Sequence, residues 1–114
     1  MKTKFFVILI SMIFMGTALF AHPPGKPEIS YNKKTGDLTI EFSHPVKDAS
    51  KHFIEKIWVY INGDEVEVIA YEEQTSLEEH RVVLNMPNLE SGTKIKVKAS
   101  CNIFGKKKGK YKVE

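Results

Sequence analysis

Lys94-Ile95-Lys96-Val97-Lys98-Ala99-Ser100-Cys101-Asn102-Ile103-Phe104-Gly105 decides the reading of this chain. Three lysines alternate with Ile95, Val97 and Ala99, the period-two pattern of a strand with one wet face and one buried face. The apolar phase, carried one step further, lands on Cys101, the only cysteine in the sequence. The strand then stops in a turn-forming stretch, Asn102 to Gly105. An inward thiol at a strand end can hold a metal or a reactive group. It can equally be a small buried hydrophobe.

The same pattern recurs outward from this stretch. Leu38, Ile40 and Phe42 alternate with Asp37, Thr39, Glu41 and Ser43, and the next residue in the buried phase is His44. Pro45 follows and ends the ladder, because it has no N–H to donate. Lys47 to Lys51 is a polar loop. From His52 or Phe53 to Ile61 runs the longest apolar stretch after the N-terminal segment, predicting a central strand buried on both faces. Asn62-Gly63 followed by Asp64 is a strong hairpin signal, and Val66, Val68 and Ala70 continue the return strand to about Tyr71. Glu72 to Glu79 is an acidic connection. His80, Val82, Leu84 and Met86 share one phase of a further strand, with His80 itself expected at the surface or the edge of the core. Glu28 to Tyr31 precedes the Asn32–Gly36 turn as a short strand. Lys106 to Val113 reads as a lysine-rich edge strand, where charge discourages sheet-to-sheet association. No window holds a helical period. About seven short strands in roughly 90 residues predict an all-β, immunoglobulin-like antiparallel β-sandwich.

At 114 residues the chain holds one domain. Residues 1–21 read as a signal peptide: Lys2 and Lys4 form a basic start, Phe5 to Phe20 is mostly apolar, and Ala21 is a small residue for cleavage. The run is short and abruptly ended for a membrane span. Cleavage would leave a domain of residues 22–114, periplasmic or secreted, with no membrane association of its own. Its formal charge falls from +3 to +1 on loss of the two leader lysines, which argues against nucleic acid as a partner. One cysteine cannot form an internal disulfide, so stability rests on an apolar core. His22 to Pro27 carries three prolines and a glycine and is an extended entry segment unsuited to the middle of a sheet.

There is no glycine-rich phosphate loop, nucleophile elbow or cysteine pair for a zinc ribbon. The chemistry left is one thiol and four histidines, a donor set that suits iron, copper or zinc rather than magnesium or calcium. His44 and Cys101 each extend a buried strand phase to its end, and His52 opens the next strand across the loop that begins at Pro45. All three can converge if those ends share a pole.

His44-Pro45-Val46, His52-Phe53-Ile54-Glu55-Lys56-Ile57 and Cys101-Asn102-Ile103-Phe104-Gly105 together resemble the ferrous-iron domain of the desulfoferrodoxin and neelaredoxin (superoxide reductase) family. The resemblance implies an immunoglobulin-like β-sandwich and a mononuclear, non-haem iron held by four planar histidines and an axial cysteine. It implies an activity, the one-electron reduction of superoxide to hydrogen peroxide, and an electron-donor protein as partner. The implied ligands here are His22, His44, His52 and Cys101. The sequence also departs from the family. Phe104 stands where the family places its last histidine, and a phenyl ring cannot bind a metal. The interval from His44 to His52 is eight residues, two longer than the family pattern. The first family histidine follows a Glu-Lys pair that is absent before His22, and the cysteine-rich second domain is missing. If cleavage follows Ala21, the His22 imidazole and a new α-amine together also suit copper. Two functions follow: an exported iron-binding domain of superoxide reductase type, or a non-catalytic binding or structural module that kept the sandwich and lost the metal.

Overall fold

The computed structural model describes residues 22–114; the expected signal peptide, 1–21, lies outside them. The described residues form seven antiparallel strands: β1 (Glu28–Asn32), β2 (Asp37–Ser43), β3 (Ile54–Ile61), β4 (Asp64–Ala70), β5 (Glu79–Asn85), β6 (Lys94–Cys101) and β7 (Lys106–Lys112). They pair as two sheets, β1-β2-β5 and β4-β3-β6-β7. The all-β sandwich expected from the alternation is therefore present, with β7 at an edge as its lysines suggested.

Each sheet turns one phase inward. Leu38, Ile40 and Phe42 of β2 face Ile54, Ile57 and Val59 of β3 and Ile95, Val97 and Ala99 of β6, all of them buried. In the β3–β6 ladder Val59 is opposite Val97 and Ile57 opposite Ala99, so the inward rows match across strands. The Asn62-Gly63 turn joins β3 to β4 with positive φ at both residues, 50° and 89°, the twist that suits a two-residue hairpin.

β3 is central, but it is not buried on both faces. Glu55 and Lys56 are exposed and Trp58 and Tyr60 are half-buried. A two-layer sandwich leaves every strand a solvent side. The apolar run is explained by what covers it: the ammonium groups of Lys98 and Lys96 lie 4.6 Å over Trp58 and 4.4 Å over Tyr60.

The entry segment closes one seam of the sandwich. Gly25 donates its N–H to the Ser43 carbonyl at 2.7 Å, and Pro27 packs on Gly109 of β7 so closely that an added Cβ would lie 2.4 Å from the ring. At Gly105, φ is +87° and a Cβ would meet Pro23 at 2.5 Å. A side chain there would be strained by the backbone and by the contact. These approaches hold His22 at the pole where β2 and β6 end.

His80 corrects a second expectation. It follows the inward phase of β5 opposite Phe42 and is 1% exposed rather than on the surface. Its ring stands edge-on to Tyr71 at 4.2 Å, and neither ring nitrogen has a hydrogen-bond partner among the described residues. Burial pushes its imidazole down to about 4, with His44 adding to the shift.

Two outcomes follow. Gly105→Ala should destabilise the fold by about 1–3 kcal/mol, read as a lower urea midpoint at unchanged slope. The second concerns acid. Unfolded histidine takes its proton near pH 6.5, folded His80 only near 4, so its contribution is complete above 6.5 and is lost as pH falls toward 4. The full loss is on the order of 3 kcal/mol. His80→Leu should flatten the fall in stability of metal-free protein across this window, and an unchanged slope would place the acid sensitivity elsewhere.

Candidate metal centre

Two loops meet at the pole where β2, β3 and β6 end or begin. The first, after β2, carries His44 and His52. His44 continues the ladder beyond β2, donating its N–H to the Glu78 carbonyl at 2.9 Å, and Val46 bonds the Leu77 carbonyl at 2.7 Å. Pro45 falls between these two bonds, where no donor is needed. The chain then turns at Asp48, whose carboxylate accepts from the Ser50 N–H at 2.9 Å and hydroxyl at 2.6 Å. These bonds hold the Asp48 carboxyl below its ordinary range. The Lys51 and His52 N–H groups both donate to the Asp48 carbonyl, a closed turn that delivers His52 back to the pole.

The second loop follows Cys101. The Cys101 N–H bonds the Gly105 carbonyl at 3.0 Å, and the Ile103 N–H donates to the Cys101 Sγ at 3.4 Å. Asn102 fastens the two loops together. Its side-chain oxygen accepts from the Phe53 N–H at 2.9 Å, its amide donates to the Lys51 carbonyl at 3.0 Å, and its own N–H reaches the Phe53 carbonyl at 3.0 Å. His52, lying between Lys51 and Phe53, is thereby held against Cys101.

The three donors converge. One ligand atom each from His44, His52 and Cys101 lie within 4.8 Å of one another. The His44 and His52 rings are perpendicular at 4.8 Å between centroids. His44 is fully buried and Cys101 is 6% exposed. His22 comes close, its ring 5.1 Å from His44 and 5.5 Å from His52. Its nitrogens, however, face backbone carbonyls, Nε2 at 3.1 Å from that of Pro45 and Nδ1 at 3.3 Å from that of Pro23. The structure thus gathers His44, His52 and Cys101 and sets His22 beside them, able to join only by releasing a carbonyl. Phe104 turns outward and is 55% exposed.

Gln74 is the site residue that sequence reasoning missed. It is buried in the acidic connection before β5. Its amide donates to the carbonyls of His44 at 3.0 Å and Ser76 at 3.1 Å, and its oxygen accepts from the Ile54 N–H at 3.2 Å and bonds His44 Nδ1. Because the Ile54 N–H can only donate, the Gln74 oxygen is fixed as the acceptor, and His44 Nδ1 must carry the proton. The lone pair of His44 is then on Nε2, which, like His52 Nε2, is buried with no partner among the described residues. Burial lowers the proton affinity of both rings. At His44 the Gln74 bond opposes the shift; at His52 the neighbouring His44 and His22 reinforce it. Neutral imidazoles with free lone pairs beside a thiol form a donor set for iron, copper or zinc. Outside the rings, His22, Pro45, Val46, Lys47, Asp48, Lys51 and His52 line a cleft of about 540 Å³.

Comparison with solved structures places this architecture. A hypothetical protein from Pyrococcus horikoshii is similar with a TM-score of 0.57 at 22% identity, over 80% of this chain and 89% of that one. A variant of superoxide reductase (neelaredoxin) from Ignicoccus hospitalis gives 0.52 at 15% identity, over 79% of each chain. Superoxide reductase from Nanoarchaeum equitans gives 0.52 at 16%, over 78% and 92%. No protein-family model matches the chain, and no curated protein matches it in sequence. The chain has the fold of superoxide reductase.

Gln74→Ala should weaken Co(II) binding roughly 10–100-fold by freeing the His44 ring to flip or reprotonate. A visible cobalt titration measures this, with far-UV dichroism as the check on folding. Unchanged affinity in a folded variant would remove Gln74 from the site.

Proposed function

We propose that the protein is an exported iron-binding domain of superoxide reductase type, acting in the periplasm or as a secreted protein after loss of residues 1–21. The observation that carries the reading is the meeting of His44, His52 and Cys101 at one pole of a superoxide reductase fold. The donors present fit the metal: two neutral, partnerless imidazole nitrogens and one thiol, with His22 in reach of the same space. Cys101 would supply a thiolate and His44, His52 and His22 the imidazoles. A bound iron would supply the one electron that, with two protons from solvent, turns superoxide into hydrogen peroxide, and an electron-donor protein would restore it. The residues of this chain bind and orient. Gln74 keeps His44 in the ligating tautomer, Asn102 keeps His52 beside Cys101, and Lys47 and Lys51 stand with Asp48 at the mouth of the cleft, two cations to one carboxylate facing an incoming anion.

A second reading has its own observation. Phe104 stands at the family's last histidine position and faces solvent, so the complete five-ligand set is absent. With three or four ligands instead of five the site would hold iron less tightly, and a metal-free binding module is the alternative.

One experiment separates them. Protein expressed with its leader and purified without oxygen is expected to carry stoichiometric iron. Its oxidised form should show a thiolate-to-ferric band that Cys101→Ser abolishes. Folded, colourless protein that stays metal-free after iron reconstitution would favour the binding module. Iron bound without peroxide production from superoxide would retain the centre and remove the activity.

A further inference from the structure

The outer face of the larger sheet carries a feature independent of the metal centre. Register fixes its rows: Lys56 with Ser100 and Lys106, Trp58 with Lys98 and Lys108, Tyr60 with Lys96 and Lys110, and Lys94 with Lys112. The outward positions of β3, β6 and β7 therefore hold eight lysines, one tryptophan, one tyrosine and one serine, and no acidic residue. The net charge of +1 for residues 22–114 hides this arrangement, because most carboxylates lie elsewhere; on the same face the edge strand β4 sets Glu65 opposite Tyr60. Three ammonium groups gather around Trp58, those of Lys98 at 4.6 Å, Lys56 at 5.6 Å and Lys106 at 5.9 Å. The ring face relieves part of their mutual repulsion. An apposed layer of negative charge would relieve the rest.

Beyond the first row the face runs into the loop after Cys101. Ile103 and Phe104 stand there 57% and 55% exposed. They line one groove together with Lys56, Trp58 and Lys106, in which Glu55 is the only carboxylate. Lysines on a flat sheet, an aromatic pair with polar edges, and an exposed apolar tip at the margin are the elements of an interfacial membrane contact. Soluble polyanions would satisfy the lysines and leave Ile103 and Phe104 in water.

We propose that the outer face of β3, β6 and β7 docks on an anionic lipid surface, with Ile103 and Phe104 entering the headgroup boundary. This places the described domain on a membrane surface without a spanning segment, where the sequence alone predicts no membrane association after cleavage of residues 1–21. It holds whether or not the pole binds metal.

The test is partition of the full chain, purified after processing, onto vesicles of phosphatidylcholine with and without phosphatidylglycerol. Sedimentation measures binding, and emission from Trp58, the only tryptophan, reports contact. Anionic vesicles should bind the protein and shift its emission to the blue at low salt, and added salt should release it. Lys98→Glu with Lys108→Glu should lower partition by at least about tenfold. Phe104→Ser should lower it about fivefold or more and reduce the blue shift. Lys33→Glu with Lys34→Glu, the same charge change in the β1–β2 turn, should leave binding within about twofold of the parent. Absence of binding to anionic vesicles, or binding indifferent to Lys98 and Lys108, would overturn the proposal. Capture by heparin without capture by vesicles would overturn it in favour of a soluble polyanion.

Discussion

The hydrogen bonds of Asn102 to Lys51 and Phe53 are the constraint on which the rest of the pole depends. β3 and β6 pair along their length, but the ladder is irregular between Ile54 and Lys56 and ends at Ile54 opposite Cys101. Beyond that point backbone pairing no longer holds the two chains together. Asn102 replaces it with three bonds, one from its backbone and two from its side chain. His52 and Cys101 are distant in sequence, His52 on the loop before β3 and Cys101 at the last position of β6. Fixed together, they become one surface, and Gln74 brings His44 to it from the other sheet by using every donor and acceptor it has.

That arrangement is costly in a protein without metal. Buried imidazole nitrogens at His44, His52 and His80 lack partners among the described residues, and a buried polar atom left unbonded costs roughly 1–3 kcal/mol. The two at the pole differ from the third. His44, His52 and the Cys101 thiol bring one ligand atom each within 4.8 Å of one another, so one cation would serve both rings. His80 faces the Tyr71 ring, and nothing beside it forms a ligand set. Geometry thus separates a site from a buried histidine, although His80 leaves both ring nitrogens without partners among the described residues and His44 and His52 leave only Nε2.

Much of the fold was legible because a two-layer β-sandwich writes its burial into the sequence with period two. Leu38-Thr39-Ile40-Glu41-Phe42 and Ile95-Lys96-Val97-Lys98-Ala99 could face only one way, and following their phase led to His44 and Cys101. The same phase led to His80; treating it as a surface residue ignored that Val82 and Leu84 place it inside. β3 misled for a related reason, since Trp58 and Tyr60 are apolar residues on a wet face, sheltered by lysines from the next strand. Gln74 left no trace in the sequence. It lies between acidic residues in a loop, and its role comes from contacts to residues 30 and 20 positions away. Net charge also concealed the lysine face, because a sum over residues discards their placement.

The loop from Cys101 to Gly105 connects the two properties of the molecule. Cys101 turns inward to the histidines, and within three residues the chain shows Phe104 to solvent. Gly105 can take its positive φ and receive Pro23 only because it has no side chain, which fixes where the loop bends and which residues face out. Phe104 belongs to the surface. It adds apolar area to the outer side of the loop, next to Lys106 and Trp58, while Cys101 three residues earlier lies inside with His44 and His52, so one short turn serves two surfaces with different chemistry.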